Sequence, residues 1–217
     1  LLKEAHPDWS PEAVKSALMT SARQDVARDA EGTAANPFDM GSGHIDPNAA
    51  FDPGLVYETT PEEYDAFGCG IESPAVDPAR CAELETLGFS FAPEDLNQPN
   101  ISVGRLASQQ TVTRRVTNVS DQGATYVVEV TPPNGVAVAV SPTTLSLGPR
   151  ESATYEVTFT YTSGPLHLWR FGELRWVSPD RTVRSVLAIR PASIVAPAEI
   201  TGFSGSGTAS FDIEFGY

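Results

Sequence analysis

Histidine is scarce in this chain, with His6, His44 and His167 the only three in 217 residues, and cysteine is scarcer still, with Cys69 and Cys81 alone. No cluster of these side chains has metal-ligand spacing, and no pair of carboxylates is framed by a recognisable site, so neither a metal nor another cofactor is expected. Apolar runs are short as well. None approaches the roughly 20 residues that a membrane-spanning helix needs, so no membrane span is expected. Positive charge is missing from one half only. Residues 1–100 hold 19 acidic against 5 basic side chains, residues 101–217 hold 9 of each, and the whole carries −14. An acidic half argues against nucleic acid, whose backbone binds basic patches, and reads most simply as a solvated surface. Hydrophobic residues make up 41% of the chain, enough for packed cores, and the length allows two units with a break near residue 100.

Before that break the pattern is helical. Ser10-Pro11-Glu12 is a helix start: Ser10 can accept from an orphan backbone N–H, Pro11 suits the first helical position, and Glu12 favours the positive end of the dipole. Val14, Ala17, Leu18 and Ser21 then recur at helical spacing and predict a small-residue face. A helix this short is marginal alone, and its partner is expected outside this chain. Gly41-Ser42-Gly43 supplies positive φ, but no hydrophobic strand precedes it and no Gly-Lys-Ser/Thr follows, so it is not a phosphate loop. Asp52-Pro53-Gly54-Leu55-Val56-Tyr57 reads as a turn followed by an extended segment. Thr60 to Phe67 predicts a short capped helix with Tyr64 and Phe67 on one side.

Cys69 and Cys81 bracket a loop-like stretch containing Pro and Gly. A disulfide is the expected state and would place the protein outside the reducing cytosol; two free thiols are the alternative.

After residue 100 the spacing changes to strict alternation. Tyr126, Val128 and Val130 form one such series; Val136, Val138 and Val140 form a second; Tyr155, Val157, Phe159 and Tyr161 form a third. Turn signals separate them, at Ser120–Gly123, Pro132–Gly135, Leu147–Pro149 and Ser163–Pro165. The pattern predicts a sandwich of about seven strands, immunoglobulin-like in size, with Trp169 and Trp176 on late strands filling its core. Asn100-Ile101-Ser102 and Asn118-Val119-Ser120 both fit the N-glycosylation pattern.

Taken in order, these stretches resemble the subtilisin-like serine proteases, or subtilases, of the branch best known from plants. Leu1 to Ala22 looks like the segment after the catalytic serine. Asn36 to Phe51 looks like the close of the catalytic domain, and Pro53-Gly54-Leu55-Val56-Tyr57 like its exit. Asp95-Leu96-Asn97-Gln98-Pro99, Thr111-Val112-Thr113-Arg114-Arg115-Val116-Thr117-Asn118-Val119, Pro133-Asn134-Gly135-Val136, Val140-Ser141-Pro142, Phe171-Gly172-Glu173-Leu174-Arg175-Trp176 and Val183-Arg184-Ser185 follow in the family's sequence. The resemblance implies a mainly β fold: a C-terminal remnant of an α/β subtilisin-like domain followed by an immunoglobulin/fibronectin III-like β-sandwich. It divides the chain into the end of a catalytic domain (1–59), a connector with a disulfide (60–100), the sandwich (101–193) and the start of a further β-module or tail (194–217).

It also implies that the nucleophilic serine, in a Gly-Thr-Ser-Met-Ala motif, lies about a dozen residues upstream of Leu1, on a helix of which Leu1 to Ala5 is the end. No catalytic residue is then expected here. The three histidines are structural: His6 in a turn before Pro7, His44 after a Gly-x-Gly strand start, His167 in a sandwich strand. Gly205-Ser206-Gly207, in a Gly/Ser turn from Gly202 to Gly207, is not a nucleophile elbow. The parent is expected to be a secreted or cell-surface endopeptidase that meets protein or peptide substrates through the part ahead of Leu1. The sandwich would support stability, docking or homodimer contacts. The alternative reading is a β-sandwich binding or adhesion module of a cell-surface protein.

Overall fold

The structure, a computed structural model, describes residues 1–217 apart from 28, 30, 197–207, 209, 210, 212 and 217. The Gly/Ser turn read from Gly202 to Gly207 lies outside the described residues.

Nine strands build the sandwich: β1 (Leu55–Val56), β2 (Ile101–Leu106), β3 (Gln109–Asn118), β4 (Ala124–Thr131), β5 (Val136–Ser141), β6 (Thr144–Leu147), β7 (Ser152–Tyr161), β8 (Arg170–Val177) and β9 (Thr182–Pro191). One sheet runs β1-β3-β7-β5 and the other β2-β9-β8-β4-β6, with every pairing antiparallel except β2 with β9. The alternation seen in the sequence sets the inner faces. Val112, Val116, Tyr155, Val157 and Phe159 from the first sheet close on Tyr126, Leu174, Trp176, Val183, Leu187 and Ile189 from the second. Tyr155 meets Trp176 edge to face across the two sheets, with ring centroids 5.1 Å apart. The fold is thus mainly β, as the sequence predicts.

Trp176 sits at the centre of this core, but Trp169 does not. It lies ahead of β8, half-buried, with its ring edge-on to the exposed Phe38 at 5.1 Å. His167 likewise is not in a strand. It is exposed in the β7–β8 connection with φ of +61°, and its N–H donates to the Pro191 carbonyl at 2.7 Å. The Ser163-Gly164-Pro165 turn ends β7 early, so the residues between it and Arg170 cross outside the pleat.

The first fifty residues fold onto this sandwich. After α1 (Leu2–Ala5) comes α2 (Pro11–Thr20), where the Ser10 hydroxyl accepts from the Ala13 N–H at 3.0 Å. The buried face of α2 is Ala13, Ser16, Ala17 and Thr20, one position off the predicted stripe, with Val14 and Leu18 at its margin. Its partner is inside the chain: Ala13 and Ala17 pack with Trp9, Ala50 and Val56, and the helix also contacts β9. Small side chains let the extended β1 backbone approach closely, so the Tyr57 N–H reaches the buried Ser16 hydroxyl at 2.9 Å. α3 (Pro37–Met40) and α4 (Pro47–Ala50) are single turns capped by Asn36 and Asp46.

The stretch around the cysteines is helical rather than a loop. α5 (Pro61–Gly70) carries a capping box between Thr60 and Glu63, and α6 (Pro78–Thr86) is capped by Asp77. Cys69 on α5 and Cys81 on α6 are bonded, their Cα atoms 5.7 Å apart. Pro78 takes the first helical position, which is why a proline-rich sequence continues as helix. Past the sandwich, β10 (Ile194–Val195) pairs antiparallel with β11 (Glu214–Phe215).

Candidate functional site

The polar chemistry of the chain collects along the seam between residues 52–60, residues 94–100 and the sandwich. Pro53-Gly54 turns the chain into β1, with Gly54 at φ of +80°, where any Cβ would collide with the Tyr126 hydroxyl. Leu55 and Val56 then pair with Asn118 and Thr117 as the edge of the first sheet. Tyr57, read from sequence as part of an exit from another domain, enters the sandwich core. Its hydroxyl lies 2.7 Å from that of Tyr155 and 3.1 Å from that of Ser185. Burial raises the pKa of both tyrosines, that of Tyr155 well above the ordinary value, so both stay neutral and share protons as hydrogen-bond donors.

Asn97 acts as a clasp below this triad of hydroxyls. Its Nδ2 donates to the carbonyls of Glu58 and Arg115, both at 3.0 Å, while its Oδ1 accepts from the Arg115 N–H at 2.9 Å. Thr59 closes the ring by donating to the Asn97 carbonyl at 2.8 Å. Next to it Arg114 is 3% exposed, and its guanidinium donates to the carbonyls of Gln98 at 2.9 Å and of Glu94 and Thr113 at 2.8 Å. Burial lowers its pKa. Arg115 faces the other way and pairs with Glu63 of α5 at 3.0 Å. Further along the seam Arg181 grips Asp52 through two bonds of 2.9 and 2.7 Å, and Arg184 is held by Glu173 at 2.6 Å.

The histidines stand apart from this network. His6 stacks on Trp9 at 3.9 Å with its Nε2 2.9 Å from the Phe51 carbonyl oxygen, and His44 makes an isolated backbone bridge with Arg23. Among the described residues no group of three or more His, Cys, Asp or Glu side chains is placed to hold a metal ion. The seam therefore contains locks made of buried donors matched to backbone acceptors, and the Ser10 hydroxyl that donates to Glu58 at 2.7 Å is also the cap of α2. Of these residues, Arg114 left the clearest signal in the sequence, since it shares the inward parity of Val112 and Val116. The roles of Asn97 and Tyr57 depend on distant partners and left none.

A mainly β chain with two such sheets around one core defines a fibronectin-type sandwich, and the fibronectin type-III domain family matches residues 95–189. The wider relationship extends beyond that domain. The chain is 36% identical over 203 residues to the subtilisin-like protease SBT3.10 of Arabidopsis thaliana, covering 88% of this chain and 26% of that protein. It is 39% identical over 215 residues to SBT1.4 of the same plant, covering 88% and 27%, and 34% identical over 209 residues to SBT3 of Solanum lycopersicum, again covering 88% and 27%. The chain belongs to the subtilisin-like protease family. It spans about a quarter of the length of the curated relatives it matches.

Proposed function

We propose that the chain is the C-terminal portion of an exported subtilisin-like serine endopeptidase, with the nucleophilic serine upstream of Leu1, and that it serves the protease as a scaffold. The observation that carries this reading is the seam. The helix α2, in the segment that resembles the stretch after the catalytic serine, is bonded through Ser16 to Tyr57, and Tyr57 sits in the core of the sandwich. Stability in the sandwich is thereby passed to the helix that would continue the catalytic domain. The division into residues 1–59, 60–100, 101–193 and 194–217 belongs to this proposal, with the qualification that β1 and Tyr57 serve the sandwich.

The Cys69–Cys81 bond supports an extracellular or cell-surface location. The chain alone hydrolyses no peptide, because the nucleophilic serine of the triad lies upstream of Leu1. Protein substrates are met by the remainder of the parent, and homodimer contacts through the sandwich belong to the same reading.

The test uses the parent protease. Breaking the seam with Ser16→Val should lower its thermal inactivation temperature while leaving KM for a short peptide unchanged, because the substrate pockets lie elsewhere. An unchanged inactivation temperature would overturn the scaffold role. Hydrolysis of peptides by the purified 217-residue chain, blocked by a serine-directed phosphonate, would overturn the claim of inertness. Sedimentation of the parent reads the dimer contact directly.

A further inference from the structure

Two triplets in the chain have the form that accepts an N-linked oligosaccharide, and the fold treats their asparagines in opposite ways. Asn118 is 0% exposed at the end of β3. Its Nδ2 donates to three carbonyls, Gln122 at 2.9 Å, Leu147 at 3.2 Å and Gly148 at 3.0 Å. Its Oδ1 accepts from the Ser120 N–H at 3.0 Å and from the Ser120 hydroxyl at 2.8 Å. One side chain thus ties the end of β3 to the β3–β4 turn and to the β6–β7 turn, and the triplet's own hydroxyl is spent inside that lock. Asn100 is half-buried and its Nδ2 makes one bond, to the Ser42 hydroxyl at 2.8 Å, while its Oδ1 accepts from the Val186 N–H at 3.0 Å.

Transfer from a lipid-pyrophosphate-linked oligosaccharide forms a bond between the amide nitrogen and the sugar C1. It breaks the bond from C1 to the phosphate oxygen, releases the lipid pyrophosphate and removes one amide proton. At Asn100 the product keeps one N–H for Ser42 and the full Oδ1 contact. At Asn118 one N–H remains for three carbonyls, that of Leu147 buried and those of Gln122 and Gly148 half-buried, and the sugar must occupy space already filled by two turns. Leaving buried acceptors unmatched is costly in itself, before any steric clash is counted.

We propose that Asn118 is a modification site that acts against the fold: an oligosaccharide on its Nδ2 and the native sandwich exclude one another, whereas Asn100 tolerates the same group. In a host with this transferase, the Asn118 triplet then reports whether β3 and the two turns locked before the enzyme arrived. The inference does not depend on the protease reading.

The experiment presents the full chain, made in cells without N-glycosylation, to a purified oligosaccharyltransferase and its lipid-linked donor, once folded and once diluted from urea. Glycopeptide mass spectrometry should find Asn118 unmodified in the folded chain. Molecules modified there during refolding should fail to regain native tryptophan fluorescence. A folded chain carrying the sugar on Asn118, before or after refolding, overturns the proposal. Because the transferase can pass over Asn118 in both samples, Asn118→Asp gives an independent reading, since it removes the amide donors without adding bulk. It should lose most of the urea midpoint, with Ser120→Ala, which abolishes the triplet but keeps the three carbonyl bonds, falling far less. Equal midpoints for Asn118→Asp and the parent chain overturn the lock.

Discussion

The sandwich and the α5–α6 hairpin bury their chains in opposite ways. The sandwich gathers nineteen buried residues from nine strands and the adjoining Tyr57 into one apolar cluster. The hairpin contributes to no such cluster: α5 buries only Ala66 and Gly68, and α6 only Leu84. It holds together with a covalent bond, two helix caps, the Arg80–Asp65 pair at 3.1 Å and the Glu63–Arg115 pair to the sandwich. Where apolar area is plentiful the fold relies on packing. Where it is scarce, cross-linking and charge take over.

The sharpest break of this contrast is Trp176→Ala. Trp176 is fully buried between the sheets, so its removal should cost about 4 kcal/mol and show as a fall in the urea midpoint of the whole sandwich. Replacing both Cys69 and Cys81 by Ala should have the opposite reach. With a sequence separation of 12 between the partners, the loss is about 3 kcal/mol on the chain-entropy model. It should stay local: amide exchange in α5 and α6 rises while the Trp176 fluorescence transition barely moves. A large shift of that transition would show that the hairpin and the sandwich unfold together.

Asn97→Ala joins the two regions. It strands half-buried groups of Glu58 and Arg115, so about 2 kcal/mol of the sandwich transition should go, with loosening of the hairpin alongside.

The most gradual effect comes from alkali. The folded pKa values of Tyr57 and Tyr155 lie above the unfolded value of about 10, so their contribution is complete below pH of about 10 and is lost as pH rises through the folded values. In that window stability should fall by up to about 1.4 kcal/mol per pH unit for each tyrosine. Urea midpoints between neutral pH and pH of about 11 measure it, and the slope should flatten when both are changed to Phe. A slope that survives the double change assigns it to other groups.

Much of the architecture was legible because burial in a two-faced strand writes itself as alternation. Tyr155, Val157 and Phe159 announce β7, and Val136, Val138 and Val140 announce β5. The resemblance carried by Thr111 to Val119 located the family. What failed was whatever distant partners decide. Leu55-Val56-Tyr57 reads correctly as an extended segment, but a two-residue strand has no period of its own, and only its pairing with Thr117 and Asn118 puts Leu55–Val56 in the sandwich. The buried stripe on α2 lies one position from the expected one because Ser16 and Thr20, polar by composition, turn inward and satisfy their hydroxyls on Tyr57 and on the Ser16 carbonyl. The sequence puts Trp169 on a late strand and so in the core, but β8 begins only at Arg170 and leaves Trp169 outside the strand against Phe38. Arg114 is the reverse case, a charge at an inward position, visible in the pattern but without a reason until the carbonyls around it are seen.

β1 has a practical consequence for anyone dividing this chain. The fibronectin match begins at residue 95, and a fragment cut there would lack Leu55, Val56 and Tyr57. It would uncover the backbone of β3 at Thr117 and Asn118 as a raw sheet edge and leave a hole beside Tyr155 and Ser185. Such an edge accepts whatever strand arrives first, including one from another molecule of the same fragment. A fragment that begins before Asp52 should stay in solution at concentrations where one beginning at residue 95 exchanges strands and precipitates.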